Sequence, residues 1–206
     1  MTEIECPDLK KVEQRLKGVK GKAPAVMSNA INRAAQNVKS NMAKLSAQRY
    51  LIKQKDVKST ITQTKSTKST LSAQVVSHTE NKIDLYKFKA NPKNPRPQNP
   101  PEFYKSQVLK ASGLKELGGS NDRSKAFVAQ MASGHIGIFE RKLNAQRSSP
   151  RSGRKKDQPI VELMGLAVPS MIGQRDNVDK IKQEGEKMLQ ARLDHEINRM
   201  LGATVK

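Results

Sequence analysis

Aromatic residues, cysteine and long apolar runs are all scarce in this chain. It has no Trp, four Phe and three Tyr, so the core must be mostly aliphatic. The single cysteine, Cys6, excludes an internal disulfide framework and leaves no Cys-x-x-Cys pair for zinc. Uncharged stretches such as residues 163–174 are all shorter than the ~20 residues that span a bilayer. The charged N-terminus is unlike a signal peptide, so we expect a soluble cytoplasmic product without a membrane span.

Signatures of catalysis are missing as well. There is no glycine-rich loop followed by Lys-Ser/Thr, and Ser133 lacks the first glycine of a nucleophile elbow. His195-Glu196 begins like a zinc-protease motif, but Arg199 stands where the second histidine is needed. His135 follows a glycine, and a turn or strand-end role is favoured for it. The sequence therefore predicts a protein that is not an enzyme, with no catalytic, cofactor-binding or metal-binding residues.

Positive charge is abundant and is concentrated in two blocks. The formal net charge is +20. Residues 14–79 hold thirteen Lys and Arg and one acid, Asp56, and residues 141–156 hold seven basic residues and no acid. Residues 157–206 are close to neutral, with eight acids and seven bases. Basic blocks usually face polyanions, which here means nucleic acid or an anionic membrane.

Helical periodicity is clear at both ends of the chain. After an N-terminal segment (1–23) that contains a short helix over residues 8–16, apolar residues recur at helical spacing over 24–48, and Pro24 fits the first turn. A second stripe predicts a C-terminal helix over 176–202, with acids near its start and Gly202 at its end.

The region between the helices has the two-residue period of strands. Residues 50–70, with three Lys-Ser-Thr triplets, read as a flexible or strand-forming basic arm. In the sheet region, 71–142, alternation predicts one hairpin over 71–85 and a second over 127–138, the latter turning at Ser133-Gly134. Residues 91–101 hold five prolines and predict an extended surface loop.

The expected fold is therefore a single α+β domain over residues 1–206. We expect an antiparallel sheet of meander and hairpin type, packed by the long N-terminal helix and the long C-terminal helix. The second basic block, apart from Arg141 and Lys142, falls in a loop over 143–158. This loop begins where the second hairpin ends and stops where apolar sequence resumes at Ile160.

Several motifs resemble one family of phage proteins. AINRAA at 30–35, FVAQMASGHIGIFERK, PIVELMGLAVPSMIGQ and LDHEINRML are similar, in this order, to the prophage minor tail protein Z family. The matching pieces lie within 24–48 and 126–202. Residues 142–158 link GHIGIFER, which ends at Arg141, to the motif that begins at Pro159-Ile160. This link is longer here than in the family, so the resemblance gives the loop no function.

The resemblance implies a structural protein of the virion that acts in tail completion. Such proteins are expected in the neck, near the head-proximal end of the tail, as rings, with a hexamer as one candidate. The implied partners are copies of the chain and the tail-tube, tail-terminator and connector proteins. The implied location is the virion, and the host cytoplasm during assembly.

Two sets of residues are candidates for contacts. Contacts with DNA phosphates, which would be blind to base sequence, or with an acidic partner are assigned to the two basic blocks. These residues are Lys53, Lys55, Lys58, Lys65, Lys68, Arg141, Lys142, Arg147, Arg151, Arg154, Lys155 and Lys156. The candidates for a subunit or tail interface are Ile160, Leu163, Met164, Val168 and Met171.

Two other functions compete with the tail role. A free-standing basic protein that binds nucleic acid without sequence preference would also carry this charge. The neutral, amphipathic C-terminal helix favours protein contacts over such a coat. A membrane-surface role is weaker, because the basic residues do not share a helix with a bulky apolar face.

Overall fold

A mixed α+β fold is seen in the computed structural model, which describes residues 8–16, 21–95, 98–119, 124–145, 158–173 and 175–204. The predicted fold class is confirmed, with small antiparallel sheets and a long helix near each end. The helices are α1 (Leu9–Arg15), α2 (Ala23–Arg49), α3 (Gln54–Ser59), α4 (Val168–Ile172) and α5 (Arg175–Thr204).

The short helix α1 is fixed by a cap and by its contacts with the long helices. The Asp8 side chain accepts a hydrogen bond from the Lys10 backbone N–H at 3.1 Å, which satisfies a free donor of the first turn. Val12 and Leu16 are buried in the same cluster as residues of α2 and α5. Arg15 forms an ion pair with Asp194 of α5 at 2.7 Å. Helix α1 thus closes one end of the helical layer.

The two long helices pack against each other more extensively than any other pair of elements. The N-terminal half of α2 forms an apolar cluster with Leu189, Leu193 and Ile197 of α5. Its C-terminal half, through Ala43, shares a second cluster with the strands and with Ile181 of α5. The helices therefore run antiparallel. No helix within the described ranges is both long and apolar enough to cross a membrane.

Among the described residues the strands form four small antiparallel sheets, where the sequence predicted one. In these sheets β1 pairs with β2, β3 pairs with β10, β5 pairs with both β4 and β6, and β8 pairs with both β7 and β9. The strands are β1 (Thr62–Gln63), β2 (Val75–Val76), β3 (Lys82–Asp84), β4 (Lys89–Asn91), β5 (Lys105–Gln107), β6 (Lys115–Glu116), β7 (Phe127–Gln130), β8 (Ile136–Arg141), β9 (Ile160–Glu162) and β10 (Met164–Ala167).

The hairpin predicted over 127–138 is present, and the hairpin predicted over 71–85 is absent. Strands β7 and β8 pair directly, with Val128 opposite Ile138. The hairpin over 71–85 does not form, because β2 pairs with β1 and β3 pairs with β10. The reason is packing: Leu71 and Ala73 contact the cluster between the long helices, whereas Ile83 is buried in the sheet cluster.

The segment 50–70, expected as a flexible or strand-forming basic arm, is packed onto the domain. It contains α3 and β1, and Ile52, Val57, Ile61 and Ser66 are buried. The proline-rich residues 91–101 fall between the paired strands β4 and β5. Beyond Asn91, the described residues of this loop belong to no helix or strand. The loop 143–158 joins the paired strands β8 and β9, and its residues 146–157 lie outside the described part of the chain.

Candidate functional site

The motifs around GHIGIFER and PIVEL form the neighbouring strands β8 and β9. These strands are antiparallel, and Phe139 lies opposite Glu162. Gly134, in the turn before β8, has a φ of 84°, in the left-handed region that favours glycine. Its backbone N–H donates to the Met131 carbonyl at 2.9 Å. The first glycine of the motif is thus required by the turn.

A histidine and two carboxylates meet beside these strands. His135 Nε2 lies 2.7 Å from Glu162 Oε1, and the imidazole meets the Phe139 ring edge-on with centroids 6.4 Å apart. Gly137 leaves space for the Glu162 carboxylate, because a Cβ at this position would collide with Glu162 Oε1. Asp84 completes the group: one ligand atom from each of Asp84, His135 and Glu162 lies within 4.8 Å of the others.

This group was not predicted, since the sequence indicated no metal-ligand cluster. One signal was present: Gly137 and Phe139 alternate in β8, and His135, the residue before β8, continues this alternation. The partners Asp84 and Glu162 are far away in the sequence. Their approach depends on the pairing of β3 with β10, which the sequence did not indicate.

The first half of the basic segment 50–70 is held by buried apolar residues. Val57 of α3 is fully buried, while Lys53 and Lys55 are exposed and Lys58 is half-buried. The Lys39 Nζ of α2 donates to the Ile61 carbonyl at 2.6 Å, which holds the chain just after α3 against α2. Lys53 and Lys55 are therefore exposed on a segment that packing holds in place.

Buried Ser66 holds the second half of the segment. The Asn32 side chain of α2 donates to the Ser66 carbonyl at 3.0 Å and accepts from the Ser66 N–H at 2.8 Å. Ser28 Oγ donates to the same carbonyl at 3.0 Å. Lys65 and Lys68 are exposed on either side of this anchor. In these two Lys-Ser-Thr triplets the lysines, Lys65 and Lys68, are exposed and Ser66 is buried.

The second basic block is described only at its beginning. Arg141 and Lys142 are exposed, and the Arg141 guanidinium lies 5.2 Å from the centroid of the Phe127 ring. The remaining candidates in this block lie outside the described residues: Arg147, Arg151, Arg154, Lys155 and Lys156.

The candidate interface residues divide into exposed and buried ones. Ile160 and Met164 are 37% and 43% exposed, and Leu163 is partly buried against the core. Val168 and Met171 are 0% and 3% exposed. These two cannot form an interface, because they fill the chain's own core at α4. Leu166, which the sequence analysis missed, is 37% exposed. It follows Met164 by two residues in β10, and both side chains are exposed.

The described residues expose lysines on the packed segment 50–70 and apolar side chains on β10. Both surfaces suit a component of a larger assembly. A family model described as prophage minor tail protein Z matches residues 9–206, nearly the whole chain. The chain therefore belongs to the prophage minor tail protein Z family. No curated protein and no solved structure matches it.

Membership of this family makes the chain a structural protein of a phage tail. The predicted family is thus confirmed, and the match also covers residues 50–111, which the motifs had not reached. The location that follows is the virion, in contact with other tail components. A structural family implies a role without catalysis.

Proposed function

We propose that this chain completes the phage tail as a ring near its head-proximal end, with the first basic block facing DNA in the central channel. Copies of the chain would contact one another and the tail-tube, terminator or connector proteins, after production in the host cytoplasm. A hexameric ring is the arrangement we favour. Family membership supports the tail role, and the surfaces described above support the ring and the DNA contacts.

The observation that carries the DNA contacts is the outward display of lysines on a packed segment. Lys53, Lys55, Lys65 and Lys68 are exposed, while Val57 and Ser66 between them are buried. A ring would repeat this set of charges around the channel. Lysine contacts with phosphates are independent of base sequence, so DNA could move past while contacts exchange.

A salt titration tests this surface. The variant Lys53→Gln/Lys55→Gln/Lys65→Gln/Lys68→Gln removes four exposed charges from the segment. The control Lys180→Gln/Lys182→Gln/Lys187→Gln/Arg192→Gln removes four exposed charges from α5. The affinity for a 30-base-pair duplex is measured at several salt concentrations. Each lost phosphate contact should reduce the slope of log K against log salt by about 0.9.

We expect the slope to fall by up to about 3.6 in the first variant and to stay unchanged in the α5 control. An unchanged slope in the first variant would contradict the DNA role of this block. If that variant instead loses neighbouring tail proteins in a pull-down, the lysines serve an acidic protein surface.

The proposed subunit contact rests on an open strand edge with apolar side chains. Within the described ranges, β10 is hydrogen-bonded to β3 alone, so its other edge pairs with no described strand. Open edges readily pair with another chain. Met164 and Leu166 project from this same strand and are exposed. An apolar face beside an open edge is a suitable contact between copies in a ring.

Incorporation into particles tests this contact, including the case in which the ring forms only on the tail. Met164→Asp/Leu166→Asp is compared with Leu114→Asp/Leu143→Asp, which changes two equally exposed apolar residues elsewhere. In a host that supplies the variant to a phage lacking the gene, we expect at least about a tenfold loss of infectious particles for the first pair only. Circular dichroism checks that both variants fold. Equal incorporation of the two variants would refute the contact.

A further inference from the structure

Asp84, His135 and Glu162 form a group with the chemistry and spacing of a metal site. We propose that they bind a divalent transition-metal ion, with Zn²⁺ as the best match. One ligand atom from each of the three residues lies within 4.8 Å of the others. One imidazole with two carboxylates is a donor set that zinc accepts, leaving a fourth position for water. This proposal is independent of the proposed place in the tail.

The backbone brings the three residues together from separate elements. Asp84 ends β3 and lies opposite Met164 of β10. Glu162 ends β9, only two residues before Met164. The turn at Gly134 leads directly to His135, whose carbonyl accepts from the Met131 N–H at 2.7 Å. The positions of the three Cα atoms are therefore set by the pairing of two sheets.

Gly137 provides independent support, because it leaves open the space that the Glu162 carboxylate occupies. A Cβ at this position would meet Glu162 Oε1, and it would lie 2.9 Å from Cζ of Phe139. Any larger residue would displace the carboxylate from His135. The strand thus keeps a vacant side-chain position beside the imidazole, which lets Glu162 reach it.

The present geometry requires only small side-chain movements to hold zinc. Zinc bonds to nitrogen and oxygen are about 2.0–2.2 Å long, so tetrahedral ligand atoms lie about 3.3 Å apart. His135 Nε2 and Glu162 Oε1, now 2.7 Å apart, would separate by about 0.6 Å. Both side chains are partly exposed, His135 at 41% and Glu162 at 26%.

The charge of the group also favours a divalent cation. A Zn²⁺ ion would balance the two carboxylates around a neutral imidazole. The Lys87 Nζ, 3.1 Å from Asp84 Oδ2, is the nearby cation that partly balances them without metal. A bound ion would join β3 to the β7–β8–β9 sheet and act as a cross-link between the two sheets.

Direct binding of zinc tests the proposal. The full-length chain is prepared without a histidine tag and with Cys6→Ser, so that no thiol competes. Isothermal titration with Zn²⁺ at neutral pH should show one ion per chain with Kd below about 10 μM. His135→Gln and Glu162→Gln should each weaken binding by at least about tenfold. Zinc should raise the Tm of the parent protein and not that of these two variants.

His195→Gln is the matched control. His195 also lies beside a glutamate, at 3.8 Å from Glu196, but within the described residues no third ligand completes a group there. This variant should bind zinc like the parent. Absence of one-to-one binding in the parent, or equal binding in Glu162→Gln, would overturn the proposal, as would equal weakening in His195→Gln. Asp84→Asn replaces His135→Gln in the comparison if the latter fails to fold by circular dichroism.

Discussion

Gly165 lies against the ring of Phe88, and this contact explains the last glycine of the segment PIVELMG. A Cβ built at this position would lie 2.5 Å from Cε2 of Phe88 and 3.1 Å from the Ile83 carbonyl oxygen. Phe88 is 2% exposed and Ile83 is 1% exposed, so neither can move aside easily. The glycine thus lets β10 approach the core of the sheet region.

A single methyl group should therefore be costly at this position. We expect Gly165→Ala to lower the free energy of unfolding by about 1–3 kcal/mol, because an overpacked core must shift. Gly113 has no atom within 4 Å of its Cβ position, so Gly113→Ala should be neutral or stabilising by up to about 1 kcal/mol. Urea unfolding of both variants measures the difference. Equal stabilities would show that the Phe88 contact is not tight.

The residue group at His135 shows where prediction from sequence ends. The turn role favoured for His135 agrees with its place after Gly134, since its carbonyl accepts from Met131 across the turn. The contact with Glu162 was not predictable, because the alternation within one strand does not reveal which strand lies beside it. Pairing between distant segments is decided by packing of the whole chain.

Among the elements, the helices were predicted better than the short strands. Residues 24–48 and 176–202 were assigned as helices, and the structure has Ala23–Arg49 and Arg175–Thr204. An apolar stripe over many turns is a local signal that long helices repeat. Strands such as β2, with two residues, carry too little pattern to specify a partner. The hairpin predicted over 71–85 failed for this reason.

The segment around Ser66 depends on α2 for its position. Asn32 forms two hydrogen bonds with the Ser66 backbone, as a neighbouring strand would. Ser66 is 5% exposed, so water cannot replace these bonds without local opening. The positions of Lys65 and Lys68 therefore depend on side chains of α2, of which Asn32 makes two of the three hydrogen bonds to the Ser66 backbone described above.

Asn32→Ala should release this segment. Leaving the buried Ser66 N–H without a partner costs about 1–3 kcal/mol, so residues 62–70 should open more often. The control is Asn41→Ala on the same helix, because Asn41 bonds only to Asn37 of α2 at 2.9 Å among the hydrogen bonds described. Hydrogen exchange followed by mass spectrometry should show faster exchange over 62–70 in the first variant alone. Similar exchange in both variants would contradict this dependence.

At the scale of the whole molecule, charge and family membership support the same kind of function. Because the net charge of the chain is +20, copies of it repel one another. A ring of such chains is best stabilised where a polyanion or an acidic neighbour offsets this repulsion. DNA in a tail channel offers such a polyanion, which is why the lysines of the first basic block are central to our proposal.

The central claim is a place in the phage tail near its junction with the head. Electron cryo-microscopy of particles purified from the phage that encodes this chain tests it most directly. We predict a ring of density at the head-proximal end of the tail into which the antiparallel pair α2 and α5 fits, with Lys53 and Lys55 facing the channel. Purified particles that lack the chain, or density for it only at the distal tip, would contradict the account.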